Sequence, residues 1–169
     1  VDESYLRRGK KTANKIWGNK ASVLVGDFIF TKAFQIMVDD QDLKVLRNLS
    51  NASKSLAQGE VLQLSLKNNL DIEVEKYFKV IKDKTAKLFS SSAMVGGIIS
   101  NSSEKIITKL DKFGNNLGIA FQLLDDALDY ECSKNSTGKN IGDDFKEGKI
   151  TLPVLLALRK ANSSEKAFW

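Results

Sequence analysis

Proline occurs only once among the 169 residues of this chain, at Pro153. Because proline breaks the interior of a helix, a chain nearly free of it can form long helices without interruption. Runs of β-branched and aromatic residues, which are typical of strands, are also few. The sequence therefore predicts an all-α protein, and residues 1–169 are enough for a single domain with a hydrophobic core.

Three aspartates, Asp125, Asp126 and Asp129, interrupt an apolar helical stretch and are the residues that most indicate chemistry. On a helix Asp125 and Asp129 lie one above the other, and Asp126 lies about 100° around the axis. Like charges at this spacing repel, more strongly if apolar neighbours exclude water. A divalent cation such as Mg²⁺ would offset the repulsion, since it prefers carboxylate oxygen and is commonly shared with substrate phosphates. The alternative is a solvated acidic stripe that binds nothing.

The chain has no histidine and a single cysteine, Cys132. One cysteine cannot form an internal disulfide, and it fits a reducing compartment. Any metal must be held by oxygen ligands, and any proton transfer must proceed without imidazole. We therefore predict a cytoplasmic protein whose metal site, if it has one, is built from carboxylates.

The formal net charge is +5, and the lysines are spread along the chain. Without a basic patch interleaved with aromatic residues, nucleic-acid binding is not favoured, whereas a small anionic substrate suits this charge. No apolar run approaches the roughly 20 uncharged residues of a membrane span, and no signal peptide opens the sequence. We expect no transmembrane segment.

The apolar periodicity predicts four long helices. The first, over residues 21–38, is apolar nearly all round, so we expect it to be buried against its own core or a second subunit, with Asp27 paired to a cation or facing a polar cavity. The acidic turn at residues 39–42 should cap a second helix that ends near Asn68. The others are expected over Ile72 to Ser100 and, capped by residues 102–104, through the acidic motif.

Smaller features add detail to these helices. Gly59 should allow close helix packing or a substrate path, with packing slightly favoured. One lysine of residues 82–87 should point inward, and Lys84 with Thr85 would offer an ammonium group and a hydroxyl to one anion, although a row of surface lysines is the commoner explanation of such a run. Pro153 fits the first turn of a late helix.

Two basic segments flank the helices. The first, Arg7-Arg8-Gly9, can present planar guanidinium groups to phosphate oxygens, although basic residues at a helix C-terminus explain it equally well. The second lies downstream of the aspartates and places Lys139 and Lys149 where they would neutralise a metal–phosphate cluster. Residues 1–6 look like the last turn of a helix whose beginning is missing, so we expect the chain to be a fragment.

Together these motifs closely resemble those of the trans-polyprenyl diphosphate synthases over essentially the whole chain. In order they are Asp2, Arg7-Arg8-Gly9, Gly26-Asp27, Gly59-Glu60 with Gln63, Lys84-Thr85, Phe121-Gln122 with Asp125-Asp126 and Asp129, and Gly138-Lys139 with Gly142, Asp144 and Lys149. The resemblance implies an isoprenoid-synthase-type helical bundle around a central cavity. Members of the family have a first Asp-Asp-x-x-Asp motif before Arg-Arg-Gly, and here only Asp2 of that motif is present. The chain thus resembles the central part of a longer synthase.

The resemblance also implies roles for individual residues. Metal ligands for Mg²⁺ would be Asp2, Asp125, Asp126 and Asp129, with Asp126 the less certain one. Arg7 would bind the allylic diphosphate (farnesyl or geranyl diphosphate) and Arg8 the isopentenyl diphosphate. The residues implied in catalysis or in contact with the allylic substrate are Lys84, Thr85, Phe121, Gln122, Lys139 and Lys149.

The chemistry implied by the resemblance needs no histidine. Metal ions and cations stabilise the departing diphosphate, the isopentenyl double bond attacks the allylic cation, and the released pyrophosphate can take the proton. The sequences of residues 1–4, 21–28 and 60–64 are most similar to those of bacterial octaprenyl and decaprenyl synthases. These enzymes make long all-trans tails for quinones such as ubiquinone. Family members are usually homodimers, and the apolar helix over residues 21–38 is the natural interface.

Two alternatives remain open. The first is a non-catalytic diphosphate-binding module, because without the first aspartates the isolated chain is expected to be inactive. The second is a helical interaction protein without a ligand, in which Asp125→Ala would be neutral or stabilising.

Overall fold

The computed structural model describes residues 6–7, 10–131 and 142–168, and it is helical throughout except for one short hairpin. The hairpin pairs β1 with β2 in antiparallel register, Leu6 opposite Lys11 and Arg7 opposite Lys10. Leu6 thus lies in a strand, and the helical turn expected to reach it is wrong at this residue. The elements are β1 Leu6–Arg7, β2 Lys10–Lys11, α1 Ala13–Asp39, α2 Leu43–Ser65, α3 Val74–Ile81, a π-helical turn Lys82–Ala86, α4 Lys87–Ile99, α5 Glu104–Leu128, α6 Asp143–Lys146, α7 Leu152–Lys160 and α8 Ser163–Phe168.

The predicted helices are present, and the residues predicted to begin them agree with the structure to different degrees. Asp42 caps α2, and its carboxylate accepts from the backbone N–H groups of Lys44 (2.7 Å) and Val45 (3.4 Å). Pro153 lies in the first turn of α7. Ser103 is the N-cap residue of α5, as predicted, but its side chain makes no capping hydrogen bond.

The helix predicted from Ile72 to Ser100 is continuous but not uniform, because α3 passes through the π-helical turn into α4. A π-helical turn widens one turn of a helix and commonly marks a functional site. Here it contains Lys84 and Thr85. Nothing in the local sequence distinguishes this turn from ordinary α-helix.

Close packing around the π-helical turn depends on glycines of the neighbouring helices. A Cβ atom at Gly59 of α2 would lie 2.5 Å from the backbone nitrogen of Lys84, and one at Gly118 of α5 would lie 2.5 Å from the Cα atom of Ala86. Any side chain at either position would push the helices apart. The predicted role of Gly59 in close packing is confirmed.

The hydrophobic core lies where α3 meets α7 and the segment before it. Its buried members are Ile72, Tyr77, Ile81, Ile150, Val154 and Leu155. Tyr77 brings a hydroxyl group to the edge of this core, and the core therefore forms one wall of the site described below.

Helix α1 differs from the prediction of a buried helix. Within the described chain only Met37 of α1 is buried, and the side chains of Leu24 and Phe28 are 68% and 69% exposed. Asp27 is also exposed, so the expected pairing in a core or cavity is wrong for this chain. Of the two environments predicted for this helix, its own core is therefore excluded, and contact with a second subunit remains.

The expectation that no segment could span a membrane needs correction. By length and composition alone α1 would qualify, since an 18-residue window within it has a mean hydropathy of 1.5. The prediction considered only uninterrupted runs of uncharged residues. It did not include α1, because Asp27 and Lys32 interrupt the apolar sequence there. Core helices and signal sequences pass the same test, so this property is weak evidence for a membrane span.

Candidate active site

A cavity of about 910 Å³ lies between the hairpin, α2, α3, the π-helical turn, α5 and α6. Its walls combine cations and carboxylates above an apolar floor. The cations are Lys10, Lys11, Lys84 and Lys149, the acids are Glu60, Asp125, Asp126, Asp129, Asp143, Asp144 and Glu147, and the floor includes Leu66, Ile72, Val80 and Ile81. Opposite charges that face one cavity suit a ligand that is anionic and bound together with a cation.

The acidic motif lies in the last turn of α5, where the chain turns toward α6. Asp126 and Asp129 are 3% and 6% exposed, and Asp125 is half-buried. The backbone N–H of Asp144 donates to Oδ2 of Asp129 at 3.1 Å, and that of Gly142 donates to the Asp129 carbonyl at 2.8 Å. The N–H of Asp144 thus stabilises the carboxylate of Asp129, and the two hydrogen bonds together hold the start of α6 beside the motif.

Asp126 is held by two neutral donors. Its Oδ2 accepts from the Tyr77 hydroxyl at 2.6 Å and its Oδ1 from Nε2 of Gln122 at 2.8 Å. Burial raises the pKa of Asp126, while these two hydrogen bonds act in the opposite direction. Burial, together with the bond to Asp126, also raises the pKa of Tyr77, so this phenol remains protonated. Both carboxylate oxygens of Asp126 are therefore engaged by the protein.

Lys84 and Thr85 of the π-helical turn point to different neighbours. Nζ of Lys84 lies 2.8 Å from Oε1 of Gln63 and 3.1 Å from Oε1 of Glu60, both on α2. The Thr85 hydroxyl donates to Oε1 of Gln122 at 2.8 Å. Lys84 is the inward lysine that the sequence predicts, and the hydroxyl of Thr85 is oriented by its hydrogen bond to Gln122.

Lys149 also lines the cavity, and two acidic side chains contact it. Its Nζ is 3.2 Å from Oδ1 of Asp144 and 2.7 Å from Oε2 of Glu147, and its side chain is 15% exposed. Glu147 and Asp144 hold this cation beside the acidic motif.

Comparison with known proteins agrees with this geometry. The family profile described as polyprenyl synthetase matches residues 1–169. The chain belongs to the polyprenyl synthetase family. It is 52% identical over 158 residues to octaprenyl diphosphate synthase of Escherichia coli K12, covering 94% of this chain and 49% of that protein. It is 46% identical over 167 residues to the octaprenyl diphosphate synthase of Haemophilus influenzae, covering 99% of this chain and 51% of that protein.

Solved structures give the same result. A decaprenyl diphosphate synthase from Rhodobacter capsulatus superposes with a TM-score of 0.90 at 49% identity, covering 99% of this chain and 51% of that one. A polyprenyl synthase from Caulobacter crescentus, complexed with calcium and isoprenyl diphosphate, superposes with a TM-score of 0.94 at 46% identity, covering 98% of this chain and 51% of that one. The predicted isoprenoid-synthase fold is confirmed, and the chain spans about half the length of the curated relatives it matches.

The structure brings most of the predicted site residues of this family member to one cavity. Those that line it are Lys84, Thr85, Gln122, Asp125, Asp126, Asp129 and Lys149. Phe121 does not line it; its ring lies 5.4 Å from that of Phe89, on a more exposed side of α5. Asp2, Arg8 and Lys139 lie outside the described residues, and Arg7 is described only by its backbone in β1.

Several residues of the site were not predicted from the sequence. Tyr77 belongs to no motif, and Asp143 and Glu147 looked like ordinary residues of an exposed segment. Asp144 was part of the resemblance but received no role. Lys10 and Lys11 enter the cavity because the hairpin turns them toward it. Only the position of Tyr77, two turns before Lys84 on the same predicted helix, could have indicated its place.

The donors of the acidic motif fit Mg²⁺ in one particular way. Among residues 10–131 and 142–167, no group of three or more acidic, cysteine or histidine side chains is arranged to hold a metal by itself. Mg²⁺ is usually bound by one or two carboxylates and completed by waters and substrate phosphates. Asp125 and Asp129 are suited to this arrangement, whereas the oxygens of Asp126 are engaged by Tyr77 and Gln122.

Proposed function

We propose that the complete protein carrying this chain is a prenyltransferase that joins an allylic diphosphate to isopentenyl diphosphate. The observation that carries this proposal is a cavity that is lined both by Lys84 and Lys149 and by the carboxylates of the acidic motif. Cations and carboxylates in one cavity suit a diphosphate that is shared between ammonium groups and a metal. The family and its relatives support the same activity.

The residues of this chain would act by binding and orienting. Asp125 and Asp129 would hold Mg²⁺, which neutralises diphosphate charge as that group leaves. Lys84 and Lys149 would bind the same diphosphate and limit its movement. The allylic carbon–oxygen bond breaks, the isopentenyl double bond forms the new carbon–carbon bond, and the proton lost from the adduct passes to pyrophosphate. No histidine is required for these steps.

We propose a long all-trans product, such as the octaprenyl or decaprenyl diphosphate used for quinone side chains. The printed names of the relatives with 46% to 52% identity support this choice of product length. The test is a product assay on the complete protein with Mg²⁺, isopentenyl diphosphate and farnesyl diphosphate, with products separated by length. A ladder that ends in one long product is expected, whereas absence of any elongation would reject the synthase.

The isolated chain of residues 1–169 should bind diphosphate but not elongate it. It contains Asp2 alone where the resemblance expects a complete first aspartate motif. Turnover by the purified chain with Mg²⁺ would contradict this proposal. If Mg²⁺ with pyrophosphate stabilises the complete protein and no elongation occurs, the diphosphate-binding module becomes the better description.

We further propose that the complete protein is a cytoplasmic homodimer that binds no nucleic acid and in which α1 does not span a membrane. The exposed apolar surface of α1 supports a second copy as its partner, because Leu24, Phe28 and Ile29 would otherwise face water. Asp27 and Lys32 within α1 make a membrane an unfavourable surrounding for it. The association state of the complete protein in solution tests this directly.

A further inference from the structure

Tyr77 and Thr85 are two points on one continuous helix, and the same neighbour on α5 connects them. Tyr77 lies in α3 and Thr85 in the π-helical turn that follows it. Tyr77 donates to Asp126, Asp126 accepts from Gln122, and Gln122 accepts from Thr85. Asp126 and Gln122 are four residues apart on α5. Because Tyr77 lies before Lys84 and Thr85 lies after it, the connection spans the turn that contains Lys84.

The hydrogen bonds in this connection run in a defined direction. Both carboxylate oxygens of Asp126 accept hydrogen bonds, Oδ2 from Tyr77 and Oδ1 from Gln122, so the amide nitrogen of Gln122 faces the carboxylate. If the Gln122 amide were reversed, its oxygen would face the carboxylate and two acceptors would repel. The oxygen of Gln122 therefore faces Thr85, and Thr85 must donate to it.

The far end of the connection is rigid. The Tyr77 ring is 5% exposed, belongs to the hydrophobic core with Ile72, Ile81 and Val154, and meets the ring of Phe78 edge-on at 5.5 Å. Packing on these sides fixes the hydroxyl oxygen. Asp126 is bonded to this fixed point at 2.6 Å.

We propose that Tyr77 is a positioning residue for the π-helical turn: by fixing Asp126 it fixes the amide of Gln122 and, through it, the hydroxyl of Thr85. This inference rests on the proposed function only in giving Thr85 a place beside the substrate. In this role Tyr77 acts through Asp126 and Gln122 and not by contact with the substrate. A purely structural Tyr77 would supply the buried carboxylate with a donor and have no effect on the orientation of Gln122.

The first experiment observes the side-chain amide of Gln122 directly and does not depend on enzymatic activity. The complete protein is labelled with ¹⁵N-glutamine, and the side-chain amide signal of Gln122 is assigned by its loss in Gln122→Glu. In Tyr77→Phe we expect this signal to shift and its hydrogen exchange to accelerate. Tyr130→Phe, which removes a hydroxyl from the same core, is the matched control and should leave the signal in place. An unchanged Gln122 signal in Tyr77→Phe would overturn the proposal.

The second experiment is a double-mutant cycle on turnover. Tyr77→Phe should lower kcat by about tenfold or more, the effect of losing one hydrogen bond to a charged group, with a smaller change in KM. In an Asp126→Asn background the same change should have no further effect, because the residue through which Tyr77 acts is already altered. Additive losses would contradict a role through Asp126. If the wild-type protein shows no elongation, the proposed function fails, while the amide signal still decides the role of Tyr77.

Discussion

At the scale of single residues, buried polar groups differ in how well their neighbours satisfy them. Asp126 shows one extreme, a nearly inaccessible carboxylate with a donor on each oxygen. Ser91 shows the other, because it is fully buried and its hydroxyl has no hydrogen-bond partner among the described residues. The adjacent Ser90 is also buried, but its hydroxyl donates to Asp111. These two serines therefore offer a matched pair.

Replacing Ser91 by alanine should stabilise the protein. The change removes an unsatisfied buried hydroxyl and favours the helix, so we expect the free energy of unfolding to rise by about 1 kcal/mol. The bond from Asn48 to the Ser91 carbonyl is retained, because it involves the backbone. Urea unfolding of the wild type and Ser91→Ala measures the difference.

Ser90→Ala is the control for that prediction and should act in the opposite direction. It leaves Asp111 without its donor and should lower the free energy of unfolding by about 1–3 kcal/mol. If both alanine variants change stability in the same direction, hydrogen bonding at these serines is not what distinguishes them.

At the scale of helices, the π-helical turn depends on the glycine that faces it from α2. In Gly59→Ala the new methyl carbon would lie 2.5 Å from the Lys84 backbone nitrogen, so α2 or the turn must move. We expect a loss of about 1–3 kcal/mol in unfolding free energy, as for overpacked cores. Thermal unfolding measures the loss, and pyrophosphate binding should weaken with it because Lys84 is displaced.

Gly96→Ala provides the matched control on α4. A Cβ atom at Gly96 would meet nothing within 4 Å, and the position is exposed in this chain. Alanine is the better helix former by about 1 kcal/mol, so this variant should be at least as stable as the wild type. A loss at Gly96 equal to that at Gly59 would show that close approach to Lys84 is not the cause.

Helix α1 provides a second prediction at this scale. Lysines at Leu24 and Phe28 would place two charges on its most exposed apolar face, and we expect the proposed dimer to dissociate at micromolar concentrations. Sedimentation equilibrium measures the association state. Ile106→Lys on α5 adds a charge to another exposed apolar position and should leave the dimer intact. A dimer that survives both changes in α1 would place the interface elsewhere.

At the scale of the whole molecule, the cavity should make stability depend on two ligands together. Pyrophosphate with Mg²⁺ should raise Tm, because a ligand that binds only the folded state stabilises it by about 2.7 kcal/mol at a concentration of 100 Kd. Chelating the metal should remove most of this increase, since Asp125 would then repel the anion. Asp125→Asn should reduce the increase that depends on Mg²⁺. An equal increase with and without the metal would reject a shared metal–diphosphate site.

The sequence was sufficient for features that depend on neighbouring residues. The position of Asp125 and Asp129 at the end of one helix follows from helical periodicity. The cap at Asp42 and the helix start beside Pro153 follow from backbone geometry. The resemblance carried further and identified the family and the fold. It did not assign Tyr77 or Asp143 to the site, because neither belongs to one of its motifs.

Only the tertiary structure decided the relations between residues that are far apart in the chain. Thr85 and Gln122 are 37 positions apart, and Tyr77 and Asp126 are 49 apart, so no local pattern predicts which of their atoms meet. The π-helical turn and the exposure of α1 are of the same kind. Helical periodicity is a property of nearby residues, whereas the approach of two helices is set by the shapes of both surfaces, here by Gly59 against Lys84 and Gly118 against Ala86.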